Sequence, residues 1–298
     1  MIEKLPQKEP NDKNLDVEVD PRLLDQNLID RRAFLKIIGK AALSLILSKK
    51  IAESIETTST SKTAHAQIIE STPTEEIKEV KTQIIYRGRP GTKKIAFTID
   101  DASDFGLLKY LLDLAINKKI RMVWFLIGRT VDSNEAKLIK EALDTGIIRI
   151  GNHSLSHNIA RFSNLKPDYL KKEIVGWIEK MRSFGIREEE LLRYFRPPGG
   201  AGGYSGGDKR LLELLSKIGY PYLCMWDIEF IYTIRTRYKG KYIVENVLDI
   251  LRRNVYRTQG GNLILFHFNP VDLSALKIIA DKLLANGYQF VFPEELLS

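Results

Sequence analysis

The chain has 298 residues, 44% hydrophobic and 28% charged, an ordinary globular composition that supplies one sizeable core plus appendages. Its formal net charge of +8 is spread along the sequence, which argues against a dedicated nucleic-acid patch but permits attraction to anionic lipid or to an acidic polymer such as cell wall. The single cysteine, Cys224, excludes an intramolecular disulfide and, inside the apolar run "YPYLCMWDI", reads as a buried strand residue.

Residues 1–30 are polar and without sustained period, as in a disordered tail. Residues 31–66 begin with Arg31-Arg32, followed by Phe34-Leu35-Lys36 and an apolar run from Ile37 to Leu47 that Lys40 interrupts. That run is too short and too broken to span a bilayer, and the pattern resembles a twin-arginine export signal, with Ala64-His65-Ala66 as a small-residue cleavage site. An exported protein is the expectation, anchored to the membrane if the segment stays uncleaved; no other membrane contact and no protein partner is evident. Residues 67–92 read as a linker into a folded domain over 93–298.

From Lys93 onward, strand-length apolar runs alternate with segments of helical period. The runs are "KIAFTID", "RMVWFLI", "IIRIGN", "LLRYF", "YPYLCMW", "NLILF" and "YQFVF", and the helical segments lie near 105–118, 133–145, 167–184, 207–218, 243–256 and 272–286. The spacing predicts an α/β fold with about seven parallel strands, more in keeping with a barrel than with an open doubly wound sheet.

Polar residues gather at the carboxyl ends of those strands. Asp100 and Asp101 end the first, His153 follows the third, Arg196 the fourth, Asp227 and Glu229 the fifth, and His267 the sixth. In a parallel barrel these ends share one rim. His153 and His157, in "GNHSLSH", fall on one face if the chain turns helically there, with Asn152 as a cap. Two imidazoles and one carboxylate, Asp101, suit Zn²⁺ or a similar divalent ion and leave positions open for water and substrate.

Successive side chains in extended backbone alternate, so Asp100 should point away from Asp101 and serve as general base. Asp104 reads as the cap of the following helix. Arg196, in "FRPPGG", can hold Asp100 ionised, and a backbone N–H of the Gly199-Gly200 turn can stabilise an oxyanion. His267 can protonate a departing amine, the more so if Asp227 or Glu229 raises its pKa.

"TIDD", "GNHSLSH", "RPPGG", "MWDIE" and "LFH", in this order and spacing, resemble the five motifs of the polysaccharide deacetylase family, carbohydrate esterase family 4. The resemblance covers about residues 93–298. It implies a distorted, incomplete (β/α) barrel and metal-dependent removal of N-acetyl or O-acetyl groups from an envelope or extracellular polysaccharide such as peptidoglycan. It also implies Asp100 as base, Asp101, His153 and His157 as ligands of a divalent ion (Zn²⁺ first, Co²⁺ or Ni²⁺ as alternatives), Arg196 as positioner of the base and His267 as acid.

Trp226 would line the sugar site. Three positions depart from the family pattern: Ala102 replaces Gly after the aspartate pair, Gly199 replaces Tyr after the motif proline, and no tryptophan follows Glu229. Glu229 therefore matches the motif acid by spacing and Asp227 by residue type. The rival readings are a non-catalytic carbohydrate-binding relative and an amidase acting on a non-sugar C–N bond.

Overall fold

The computed structural model describes residues 80–298 apart from 103, 165, 241 and 242. The expected tail, the export signal and most of the linker lie outside these residues. The strands are β1 (Gln83–Ile85), β2 (Lys94–Ala102), β3 (Met122–Leu126), β4 (Ile148–Asn152), β5 (Tyr194–Phe195), β6 (Tyr222–Cys224), β7 (Ile228–Glu229), β8 (Asn262–His267) and β9 (Gln289–Phe290). The helices between them are α1 (Phe105–Lys118), α2 (Ser133–Asp144), α3 (Ile159–Ser163), α4 (Pro167–Ser183), α5 (Glu188–Leu191), α6 (Lys209–Ile218), α7 (Phe230–Arg237), α8 (Val244–Ile250) and α9 (Pro270–Ala285).

All strand pairings are parallel, in the order β1-β6-β5-β4-β3-β2-β8-β7, with β9 pairing β2. The sheet is curled and the order ends at β1 and β7, so the α/β architecture is an open, incomplete barrel. All seven expected runs contain a strand. Two further strands appear: β7, and β1, which lies within the expected linker and pairs with β6 through Gln83–Ile85. Three-residue and two-residue strands are too short to show a period, which is why neither is visible in the sequence.

Alternation along the central strands sorts side chains into two layers. Ile95, Phe97 and Ile99 of β2 and Met122, Trp124 and Leu126 of β3 belong to the main core with the apolar faces of the helices. Ala96, Val123, Phe125, Tyr194, Cys224 and Leu263 form a second, smaller cluster with Phe292 and Leu296 of the C-terminal segment. With both layers covered, these strands read as continuous apolar runs. Cys224 is fully buried, as the sequence suggests, and burial pushes its thiol up to about 11.

Near the strands' amino ends, the Arg149 guanidinium lies 3.8 Å from the centre of the Phe292 ring and donates to Tyr194 Oη at 2.9 Å. Both Arg149 and the Tyr194 hydroxyl also donate to Glu294, so a polar staple holds the C-terminal segment at that end. Among the described residues, no helix is long and apolar enough to cross a membrane.

Candidate active site

The carboxyl ends of β2, β4, β7 and β8 surround a cavity of about 280 Å³ lined by Asp100, Asp101, His153, His157, Ile159, Gly199, Tyr204, Trp226, Glu229, Leu265 and His267. On β2 the parity that sends Ile99 to the main core sends Asp100 inward. Strict alternation would turn Asp101 away, and it does not. The β2–β3 register shifts between Asp100 and Ala102, and Asp101 takes a left-handed conformation with φ 68°. This bulge re-aims the second carboxylate, so both face the cavity. His153 Nε2 consequently lies 3.5 Å from Asp100 Oδ2 and 3.5 Å from Asp101 Oδ1. Asp104 caps α1, its carboxylate accepting from the Leu107 N–H at 2.9 Å.

The two histidines converge by a route other than the expected helical turn. Residues 153–158 form a loop in which Ser154 and His157 have φ of 66° and 55°, and α3 starts only at Ile159. Asn152 holds this loop instead of capping a helix. Its Oδ1 accepts from the Ser154 N–H at 2.8 Å, while its amide donates to Ile174 O and Tyr220 Oη. The Glu173 carboxylate accepts from the Ser156 N–H and hydroxyl. The ring centres of His153 and His157 end 4.8 Å apart.

The donor set fits a divalent cation. Asp101 Oδ1, His153 and His157 each offer an atom, and all three atoms lie within 4.8 Å of one another. Asp101 Oδ1 is buried yet has no hydrogen bond, and His157 Nε2 stands 3.2 Å from it. The His153 Nδ1–H donates to Arg196 O at 2.8 Å, which fixes the tautomer and leaves the Nε2 lone pair facing the cavity. Burial and the neighbouring His153 hold the His157 pKa below its ordinary value, favouring the neutral form that can ligate.

Arg196 is fully buried and saturated. Nε donates to Cys224 O at 2.8 Å, Nη2 to Met225 O at 2.8 Å, and Nη1 to Thr98 Oγ1 at 2.9 Å and Asp100 Oδ1 at 2.7 Å. Its guanidinium also lies 4.1 Å from the centre of the Phe125 ring and 5.3 Å from that of Trp226. Gly151 makes room for this stack, because a Cβ there would come within 2.3 Å of Phe125 Cε1.

Of the two glycines expected to offer an oxyanion donor, Gly200 is buried and its N–H is committed to Pro197 O at 2.9 Å. Only Gly199 lines the cavity. Trp226 also lines it, edge-on to Tyr204 with ring centres 5.9 Å apart.

The acid side departs further from expectation. Asp227 does not partner His267: its carboxylate accepts from the Leu263 N–H and the Asn262 amide, each at 2.8 Å, and fastens the start of β8. Glu229 lines the cavity, and its pKa is raised by burial, with Asp100 and Asp272 adding to the rise and His267 opposing it. The carboxylate closest to engaging His267 is one the sequence did not single out. Asp272 Oδ2 accepts from the His267 N–H at 2.8 Å and stands 3.5 Å from the ring Nδ1. Burial of the ring lowers the His267 pKa, but Asp272, Asp100 and Asp101 outweigh it and hold it above the ordinary imidazole value.

Tyr204 was equally invisible, since it sits in the aperiodic loop "GGAGGYSGGD". Asp272 left one usable trace: "HFNPVD" is a helix start, with Asn269 as cap and Pro270 in the first turn, and it puts an acid close behind the histidine.

A family model described as polysaccharide deacetylase matches residues 87–223. Among solved structures, the fold is similar to a carbohydrate esterase family 4 pseudoenzyme from Bacillus anthracis, at 23% identity over 74% of this chain and 70% of that one, with a TM-score of 0.57. It is similar to a peptidoglycan N-acetylglucosamine deacetylase, at 19% identity over 73% and 94% of the two chains, TM-score 0.57. A chitin deacetylase from Colletotrichum lindemuthianum aligns at 18% identity over 72% and 92%, TM-score 0.56. Identities this low show a shared fold. Among curated proteins, none matches the chain. The matched model and the open barrel both agree with the likeness to the polysaccharide deacetylase family that the five motifs carry.

Proposed function

We propose that the protein is a metal-dependent hydrolase that removes acetyl groups, N-linked in the first instance and O-linked as the variant, from an envelope or extracellular polysaccharide such as peptidoglycan. The observation that carries this reading is the meeting of Asp100, Asp101, His153, His157 and His267 around one cavity, with Arg196 bonded behind Asp100. Its fold relatives include deacetylases of peptidoglycan and of chitin.

Asp101, His153 and His157 would hold the divalent ion, for which Zn²⁺ is the first candidate and Co²⁺ or Ni²⁺ the alternatives. When bound, that ion supplies the positive charge that acidifies a water and polarises the acyl oxygen.

The chain's own groups do the proton work. Asp100 takes the proton of the attacking water, and the bond from Arg196 Nη1 keeps its carboxylate aimed. The Gly199 N–H, at the cavity wall, can donate to the oxyanion that forms as the carbonyl carbon becomes tetrahedral. His267 delivers a proton to the amine nitrogen as the C–N bond breaks, releasing acetate and a free amine. Trp226 and Tyr204 flank the place for the sugar. Export through the Arg31-Arg32 segment would bring the enzyme to such a substrate, and the positive net charge would favour approach to an anionic wall.

Acetate release by the full chain, loaded with Zn²⁺ and given acetylated chitooligosaccharide and peptidoglycan, tests the reading. Release that chelation abolishes and added metal restores supports it. No release from either substrate, with the metal bound, would leave a silent relative like the Bacillus anthracis pseudoenzyme. Release of another acyl product from a non-sugar amide would identify an amidase.

A further inference from the structure

We propose that Asp272 is the positioning residue for His267, holding the imidazole so that its second ring nitrogen faces the substrate. The inference rests on the deacetylase reading and assigns to α9 a role in it. One carboxylate oxygen of Asp272 addresses His267 twice: it accepts from the backbone N–H at 2.8 Å and stands 3.5 Å from Nδ1. The atom that holds the main chain is therefore also the one that stands beside the ring. Asp272 is itself fully buried, and its own N–H donates to the Asn269 side chain at 2.9 Å, so the helix cap sets where the carboxylate sits.

His267 Nδ1 is shielded from solvent and has no hydrogen-bond partner among the described residues, whereas the ring as a whole reaches the cavity. The nitrogen left on the cavity side is Nε2. A negative charge beside Nδ1 selects the Nδ1–H tautomer in the neutral ring and stabilises the doubly protonated one.

The other acids facing His267 are less suited. Asp100 is engaged by Arg196, Asp101 belongs to the ligand set, and burial raises the pKa of Glu229 on β7. When the C–N bond breaks, the proton moves from Nε2 to the amine nitrogen, and Nδ1–H stays toward Asp272.

The test uses Asp272→Asn in the full Zn²⁺-loaded chain, since Asn keeps an acceptor for the His267 N–H while losing the charge. The expected result is a fall in kcat of about 10–100-fold with KM changed less than about twofold, general acid catalysis as a whole being worth roughly 10²–10⁴-fold. The basic limb of the pH–rate profile should also move to lower pH. Made in a His267→Gln background, the same substitution should have no further effect, because it acts through the missing ring. With four histidines in the chain, the His267 resonances can be assigned by comparison with His267→Gln, and their titration midpoint should fall by about one pH unit in Asp272→Asn and by less in Glu229→Gln.

An unchanged midpoint, a larger shift in Glu229→Gln, or additive losses in the double variant would overturn the proposal. Should Asp272→Asn not fold, the tautomer of His267 in the wild-type protein decides: Nδ1–H supports the inference and Nε2–H refutes it. The titration and the tautomer are read without substrate, so failure of the inference is distinguishable from failure of the deacetylase reading.

Discussion

On one side of the cavity Arg196 donates to Cys224 O, Met225 O, Thr98 and Asp100, and His153 is locked to Arg196 O. On the other, the cavity-lining Glu229 is half-buried, and His267 faces Asp272 across 3.5 Å without a tight ring hydrogen bond. The difference follows from what each side must do. Ligands and base need one fixed geometry, which a saturated network supplies, whereas an acid that gains and loses a proton in each turnover works beside a charge that tolerates both states.

The sharpest way to break this contrast is at the base and the ligands. Asp100→Asn should lower acetate release by about 10²–10⁴-fold, the span of general base catalysis. Its metal content, measured on the purified protein, should stay near one equivalent. His157→Ala should lose both activity and metal. If Asp100→Asn released the metal as well, Asp100 would be a ligand and the two aspartates would not divide their roles. Behind the base, Arg196→Met leaves the Asp100 carboxylate, 3% exposed, without its counter-charge. Breaking such a pair from one side costs about 3–5 kcal/mol, readable from urea unfolding. A cost below about 1 kcal/mol would show that the network is not what holds this wall.

A smaller effect separates Asp227 from the chemistry. Asp227→Ala strands the Leu263 N–H and the Asn262 amide, which should cost about 1–3 kcal/mol of stability while leaving kcat within a few-fold. A collapse of kcat without loss of stability would return Asp227 to the acid side.

The barrel and most of the rim were legible because their signals are local or periodic. Runs such as "RMVWFLI" carry the buried parallel strand in their composition, and Asp100, His153 and Arg196 sit where such strands end. The left-handed backbone that lets Asp101 and His157 turn inward was not legible, since neither is glycine and only the bulge and the Asn152 and Glu173 bonds hold them so. Asp272 was not legible beside His267 because residue type and motif spacing pointed to Asp227 and Glu229, while a helix start beyond the motif brings Asp272 next to the ring. β1 escaped for want of length. Yet its neighbour Tyr86 donates to Gly203 O and steadies the loop that carries Tyr204.

That loop sets the finest distinction, between the two glycines of "RPPGG". At Gly199, a Cβ would lie 3.3 Å from Ile159 Cγ2, tight but open to adjustment. At Gly200 it would come within 2.6 Å of the Tyr204 ring, so the tyrosine already covers the ground beside Gly200 and meets Trp226 edge-on. The side-chain wall that Gly199 lacks is thus rebuilt from five residues downstream. If the ring acts only as a wall, Tyr204→Ala should raise KM roughly two- to ten-fold, corresponding to about 0.5–1.5 kcal/mol of aromatic contact. Tyr204→Phe should stay close to wild type in both kcat and KM. Burial and the nearby Glu229 raise the Tyr204 pKa, so its hydroxyl remains a neutral donor across the working pH range. A loss of kcat in Tyr204→Phe would therefore point to that O–H donating to the reacting carbonyl, and would move Tyr204 from the wall of the site into its chemistry.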